Sequence, residues 1–436
     1  MASRLTLLHL FKGSTLASNT GWMLVGLGFK LIIQAAYFTL IARSLGAQNY
    51  GAFVGVVGLV GILSPFANLG SGNLLIKNVA RDKGEFGKNW GLALVSTLLA
   101  SSILFCLLLL VSRFLLPPTI PAKLVMLVAA SDIFGTTLTV VCGQAFVAFE
   151  RLKWTASINV LLSAIRLAAA IVLISLYHTP SALQWGSFYF GSTSLVALIS
   201  VILVFSKLGL PSFNIHRSAA EFREGVYFSV SRSAETIYND IDKAMLARLG
   251  TLEATGIYGA AYRLIDVSFA PVASLLAAAY PGFFRAGMSG ISSALEYAKP
   301  LIIRALGYAS LVSLGLVACA GIVPFVLGGE YRLTVEALRW LAILPVFKVL
   351  HFFFSDALAG AGYQAVKTAV HAGVAIFNIL INLWVIPAYS WRGAAWSSIA
   401  SDALLACGMV TAVWVLSRRS RIETPETKRL EARAEA

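Results

Sequence analysis

Apolar segments long enough to cross a lipid bilayer recur throughout this 436-residue chain, and no other feature narrows the choice of folds as far. A helix needs about twenty residues to span the hydrocarbon core. Twelve such segments can be counted, centred near residues 31, 63, 101, 135, 165, 195, 237, 268, 314, 346, 378 and 405. In lipid every backbone N–H and C=O must be satisfied within the protein, so runs of this length are read as helices. The expected fold class is all-α: a polytopic membrane protein of about 12 transmembrane helices. Composition agrees, because 58% apolar residues, 12% charged residues and a mean hydropathy of +0.80 leave too little polar surface to cover a water-soluble globule.

Charge sets the orientation. With both termini cytoplasmic, 21 of the 34 Lys and Arg fall in inside segments, 7 in outside loops and 6 within spans. This bias follows the positive-inside rule and accounts for much of the +14 net charge without nucleic acid. The basic tail, with Arg418, Arg419, Arg421, Lys428 and Arg429, reads as a cytoplasmic stop in contact with lipid headgroups. The first apolar run, after Arg4 and Lys12, reaches spanning length without a small-residue cleavage pattern and is expected to remain as the first span. Cys106, Cys142, Cys319 and Cys407 are widely separated in apolar runs, which suggests core residues rather than a metal site or a disulfide framework. No cofactor or metal is expected. The stretches outside the spans are too short for a soluble catalytic domain.

The seventh span is unusual. Residues 225–249, GVYFSVSRSAETIYNDIDKAMLARL, carry Arg232, Glu235, Asp240, Asp242 and Lys243. At helical periodicity Arg232, Glu235, Asn239, Asp242 and Lys243 fall within roughly a 100° sector of one face. Charges in a spanning helix are expensive and face a partner or a water-filled path. The pattern therefore fits a helix lining a polar cavity, as in a transporter, or a set of internal ion pairs that pin helices together.

The chain also repeats. Ala42-Arg43, Gly51, Phe53 and Pro65 recur as Ala247-Arg248, Gly256, Tyr258 and Pro271, an offset of 205 residues with one slip. Six spans per half is an even number, so the halves share one orientation. The expectation is two six-helix bundles related by a parallel pseudo-twofold around a central cleft. The expected divisions are an N-terminal bundle over 1–206, a cytoplasmic linker over 207–224, a C-terminal bundle over 225–416 and a basic tail over 417–436.

Four segments carry a family resemblance: ARSLGAQNYGAF, FANLGSGNLLIKNVARD, NDIDKAMLARLGTLEATGIYGAAYRL and NLWVIPAYSWRGAAWSSIASD. In this order, and across nearly the whole chain, the sequence resembles the polysaccharide-biosynthesis flippases. These form the O-antigen and exopolysaccharide branch of the multidrug/oligosaccharidyl-lipid/polysaccharide (MOP) exporter superfamily. The resemblance implies a V-shaped pair of bundles in the bacterial inner membrane. It further implies movement of an undecaprenyl-pyrophosphate-linked glycan to the periplasmic leaflet, coupled to H⁺ or Na⁺, with glycosyltransferases and a polysaccharide polymerase as pathway partners. The motifs mainly encode helix ends and packing; Gly51, Gly55, Gly58 and Gly61 read first as close helix contacts.

Such a substrate needs cations for its pyrophosphate and a wet path for its sugars, because bare passage of the headgroup through hydrocarbon is prohibitive. Arginine offers a bidentate fork and lysine a point charge. Lys30, Arg166, Arg232, Lys243, Arg263 and Lys348 are the span-embedded cations. By the resemblance, which points to cations on the first, seventh and eighth spans, Arg232 and Arg263 lead as headgroup ligands, with Lys30 and Arg166 beside them. Lys348 ranks last, as a residue that snorkels to an interface. Asn19, Gln34, Asn239, Asn378 and Asn382 are candidates for sugar contact, and each amide suits an interhelical hydrogen bond equally well. Embedded acids are the groups able to carry a coupling ion. The candidates are Glu235, Asp240, Asp242, Asp266 and Asp356, with Asp132 and Asp402 also within spans. His371 reads as a packing residue or a titrating one.

Two rivals remain. A drug or cation antiporter of the same superfamily shares the two-bundle plan but favours an acid-dominated aromatic cleft. A membrane glycosyltransferase or polymerase could use Asp240-Ile241-Asp242 as a DxD metal motif, although that motif lies near the end of a span.

Overall fold

The computed structural model describes residues 15–212, Ser229 and 240–434, and among these the regular structure is helical, with no strand. Helix α1 (Thr15–Leu63) is two helices end to end, divided at Gly46 with φ 71° and ψ 171°. That backbone conformation is closed to residues bearing a Cβ, so glycine is required at the break. Helices α2 (Ser71–Arg81), α3 (Phe86–Leu115) and α4 (Ala122–Ala129) follow. A π-helical segment, Ala130–Thr136, joins α4 to α5 (Thr137–Ala148), and α6 (Leu152–Leu176) and α7 (Ala182–Lys207) come next. After a short helix α8 over 240–249 come α9 (Leu252–Gly287), α10 (Ile291–Cys319), α11 (Arg332–Leu341), α12 (Leu344–Gly360), α13 (Gln364–Tyr389) and α14 (Trp391–Ala434).

Among the described residues, nine segments are long and apolar enough to cross a membrane, or ten when Gly329–Leu341 and Leu344–Gly360, bent by 46°, form one span. The segment 28–80 counts once there although Gly46 divides it. The span expected near residue 237 lies outside the described residues up to residue 239. These two differences account for the distance from the twelve segments counted in the sequence. The chain is thus a multi-pass all-α membrane protein. Its outer faces fit lipid: Leu110 and Phe114 on α3, and Leu311 and Leu314 on α10, are largely exposed. Its interior faces are often small and polar, as with Thr97 and Ser101 on α3. Such residues let helix backbones approach where lipid tails compete equally for apolar contact.

Two compact units divide the chain, Met1–Gly256 and Ile257–Ala436. In the first, α1 packs on α6 and α6 on α7, and Phe86, Trp90 and Phe146 anchor a buried cluster reaching Val204 on α7. The glycine stripe of α1 does carry close helix contacts. A methyl group on Gly55 would lie 2.6 Å from Ala247 Cβ, and one on Gly58 would lie 3.0 Å from the Asp240 carbonyl oxygen. A Cβ on Gly51 would overlap the Leu252 carbonyl oxygen, and a Cβ on Gly256 would overlap that of Ala47. Residues 47 and 252, like 51 and 256, are 205 apart, so the crossing is reciprocal and follows the spacing of the sequence repeat. In the second unit α10 and α14 pack on α12, and α13 packs along α14.

Candidate functional site

The first unit builds a charged cluster around the π-helical segment. A π turn widens the helix by one residue and re-aims its side chains, and such turns concentrate at functional sites. Here it presents Asp132 and Thr136 toward Arg166 of α6 and Tyr189 and Thr193 of α7. The Tyr189 hydroxyl donates to Asp132 Oδ1 at 2.9 Å and the Thr136 hydroxyl donates to the same oxygen at 3.1 Å. Arg166 Nη2 lies 3.6 Å from that oxygen and donates to the Thr193 hydroxyl at 3.0 Å and the Thr136 hydroxyl at 3.3 Å. The guanidinium also lies over the Tyr189 ring, 4.2 Å from its centroid. Asp132 and Arg166 are both mostly buried. Arginine stays protonated at any physiological pH, so this is a permanent ion pair held by three neighbours, Thr136, Tyr189 and Thr193. Lys30 and Gln34 are half-buried on α1 one turn apart, with Tyr37 stacked on Trp185 at 6.4 Å.

On α8, Asp240 forms an ion pair with Lys243 one turn on. Its carboxylate also comes within 3.4 Å of where a Gly61 Cβ would stand. Asp242 is buried, and its Oδ1 accepts the Lys243 backbone N–H at 2.8 Å.

In the second unit Lys348 is 4% exposed. The snorkelling position expected for it is therefore corrected: its Nζ donates to Asp266 Oδ1 at 3.2 Å and lies 4.9 Å from the Tyr262 ring centroid. An anion and an aromatic face replace the water that an interface would have supplied. The pairing also bears on Arg263, one turn before Asp266, since Asp266 neutralises a lysine from another helix. Arg263 and Asp356 are half-buried.

Polar residues on one stretch of α14 reach three other helices. Ser397 donates to Asn382 Oδ1, Asn382 Nδ2 donates to Asn378 Oδ1 at 2.9 Å, and Asn378 Nδ2 donates to Ser401 at 3.0 Å. Ser398 and the Tyr258 hydroxyl share a hydrogen bond of 2.8 Å. Asn378 and Asn382 thus occupy the interhelical alternative that their pattern allowed. One position beyond Ser401, Asp402 Oδ1 lies 3.2 Å from His351 Nε2 of α12, with the two side chains 0% and 1% exposed. His351 was not singled out in the sequence, where His371 drew attention instead; His371 is buried with its Nδ1 3.0 Å from the Lys367 carbonyl oxygen. No spacing signal links residues 351 and 402, which only the fold brings together.

Arg232, Glu235 and Asn239 lie outside the described residues, as does the side chain of Asn19, whose backbone belongs to α1. Among the described residues no group of three or more His, Cys, Asp or Glu could hold a metal ion.

The fold is that of MOP superfamily transporters. An inward-facing multidrug resistance MATE family transporter of that superfamily matches with a TM-score of 0.73 and 14% identity, over 89% of this chain and 96% of that one. The lipid II flippase MurJ, in an inward closed conformation, matches with a TM-score of 0.68 and 12% identity, over 90% of this chain and 87% of that one. A MOP superfamily transporter from Pyrococcus furiosus matches at 0.60 and 14%, over 94% and 97%. No curated protein matches the chain. The profile of the polysaccharide biosynthesis protein family matches residues 16–287, and the chain belongs to that family.

Proposed function

We propose that the protein is a flippase that carries a polyprenyl-pyrophosphate-linked oligosaccharide across the bacterial inner membrane, with both termini cytoplasmic, by ion-coupled alternating access. Membership of the polysaccharide biosynthesis family is the observation that carries this reading. The interior supports it, since both units bury basic groups at depth: Arg166 in one, Lys348 in the other. An anionic headgroup crossing hydrocarbon needs such groups as counter-charges. Arg232, Arg263 and Lys30 are the proposed headgroup ligands, and Arg166 and Lys348 hold internal acids that an incoming pyrophosphate would have to displace.

The test is leaflet location. Proteoliposomes containing a labelled undecaprenyl-pyrophosphate oligosaccharide are treated with an impermeant glycan-modifying reagent. Protein-dependent access to the inner pool is expected, lost in Arg232→Ala and partly kept in Arg232→Lys. Efflux of organic cations with no glycan access would replace this reading with a drug antiporter.

A further inference from the structure

Four ion pairs are built into the spanning region among the described residues, and they differ in what a proton can do to them. Asp132 faces Arg166, which never loses its proton, and its Oδ1 already accepts two hydroxyl hydrogen bonds. Asp240 faces Lys243 and Asp266 faces Lys348, while these carboxylates are 31% and 41% exposed and can be solvated where they stand. Asp402 faces His351, and both are enclosed by protein. Of the four cationic partners, only His351 is of a residue type that exists both neutral and protonated near neutral pH.

We propose that the His351–Asp402 pair is the proton-binding site through which this transporter is coupled to the proton gradient. The proposal rests on the transporter reading above and names the site of its coupling. Depth supports it: His351 is near the middle of α12 (Leu344–Gly360), and Asp402 is near the middle of the span Trp391–Arg418. The two groups approach at 3.2 Å without hydrogen-bond alignment, and Asp402 Oδ2 meets no hydrogen-bond donor among the described residues. That oxygen is the place where a proton is taken up. When His351 is protonated and Asp402 ionised, the pair is neutral overall. Adding a proton to Asp402 leaves a net positive charge enclosed in apolar surroundings, which is unstable until the helices move apart and admit water or an anion. Protonation of the pair is thereby tied to the packing of α12 against α14.

On α12, Lys348 is occupied by Asp266 of α9, and Asp356 lies more than a turn from His351. On α13, His371 is held against the Lys367 carbonyl. The charged groups of α10, Glu296, Lys299 and Arg304, are exposed, and on α11 Glu336 is bound to Arg392 at the start of α14. Ser398 and Ser401, near Asp402 along α14, hydrogen-bond to Tyr258 and Asn378.

The test measures proton uptake by the purified full-length chain in lipid nanodiscs, without any glycan, on stepping from about pH 8 to about pH 5. Wild-type protein is expected to take up about one more proton per chain than Asp402→Asn. His351→Gln is expected to shift the midpoint of that uptake, and Asp402→Glu to retain it. Uptake by folded Asp402→Asn equal to wild type overturns the proposal. If Asp402→Asn does not fold, His351→Gln and Asp402→Glu decide: unchanged uptake midpoints in both overturn it. In proteoliposomes, glycan flipping still stimulated by a pH gradient in Asp402→Asn would overturn the proton site and leave the substrate reading intact. Asp402-dependent proton uptake by a chain that moves no lipid-linked glycan would do the reverse.

Discussion

The cluster around Asp132 in the first unit and the pair at Asp402 in the second present the same chemical problem, an acid buried within apolar helices, with two different solutions. Asp132 is given a cation that cannot be discharged, together with Tyr189 and Thr136 as hydrogen-bond donors. Asp402 is given an imidazole whose charge is conditional, at a similar distance and with fewer hydrogen bonds. A fully bonded arginine pair fixes the positions of α6, α7 and the π-helical segment. The histidine pair, on the proposal above, ties the packing of α12 against α14 to the binding of a proton. Burial alone therefore does not distinguish a structural ion pair from a working one; the partner's chemistry does.

The comparison can be broken most forcefully at Arg166. Arg166→Ala leaves Asp132 buried without its cation and should lower stability by about 3–5 kcal/mol. This would be read as a large drop in the thermal unfolding midpoint of the purified protein, with Asp132→Asn in the same chain restoring much of it. His351→Ala should cost less, because His351 makes no aligned hydrogen bond to Asp402, whereas Arg166 bonds Thr193 and Thr136 as well as facing Asp132. Equal losses at the two sites would remove the distinction between them. Smaller still is the effect expected at the ladder beside Asp402: Asn382→Leu removes interhelical hydrogen bonds worth about 0.6–2 kcal/mol in membrane helices, seen as a modest shift in the same melt. Least affected should be Arg392→Ala. Its pair with Glu336, 2.9 Å apart, is at the surface and is screened by salt, so the midpoint should stay within error of wild type.

Much of the fold was legible in the chain. Segment length, apolar content and the absence of polar cover require a multi-pass helical protein, and the glycines of α1 announce close packing because only small residues allow it. The 205-residue repeat also foreshadows a real contact, the reciprocal crossing of Gly51 with Leu252 and Gly256 with Ala47. The candidate site was less legible. Helical periodicity places Arg166, Asn378 and Asn382 on polar faces but cannot say what they meet. Asn378 and Asn382 meet each other, Ser397 and Ser401. Arg166 meets an acid 34 residues earlier, on a π turn that no pattern in the sequence marks.

By itself the sequence determined what each segment must do with its backbone and its apolar surface, since hydrogen-bond satisfaction in lipid and the thickness of the bilayer act on one helix at a time. The tertiary structure alone decided which charge neutralises which. Lys348 joins Asp266 across 82 positions and His351 joins Asp402 across 51. A pairing of that kind depends on how helices are rotated against one another, which is set by the sum of many small packing contacts and not by any spacing along the chain.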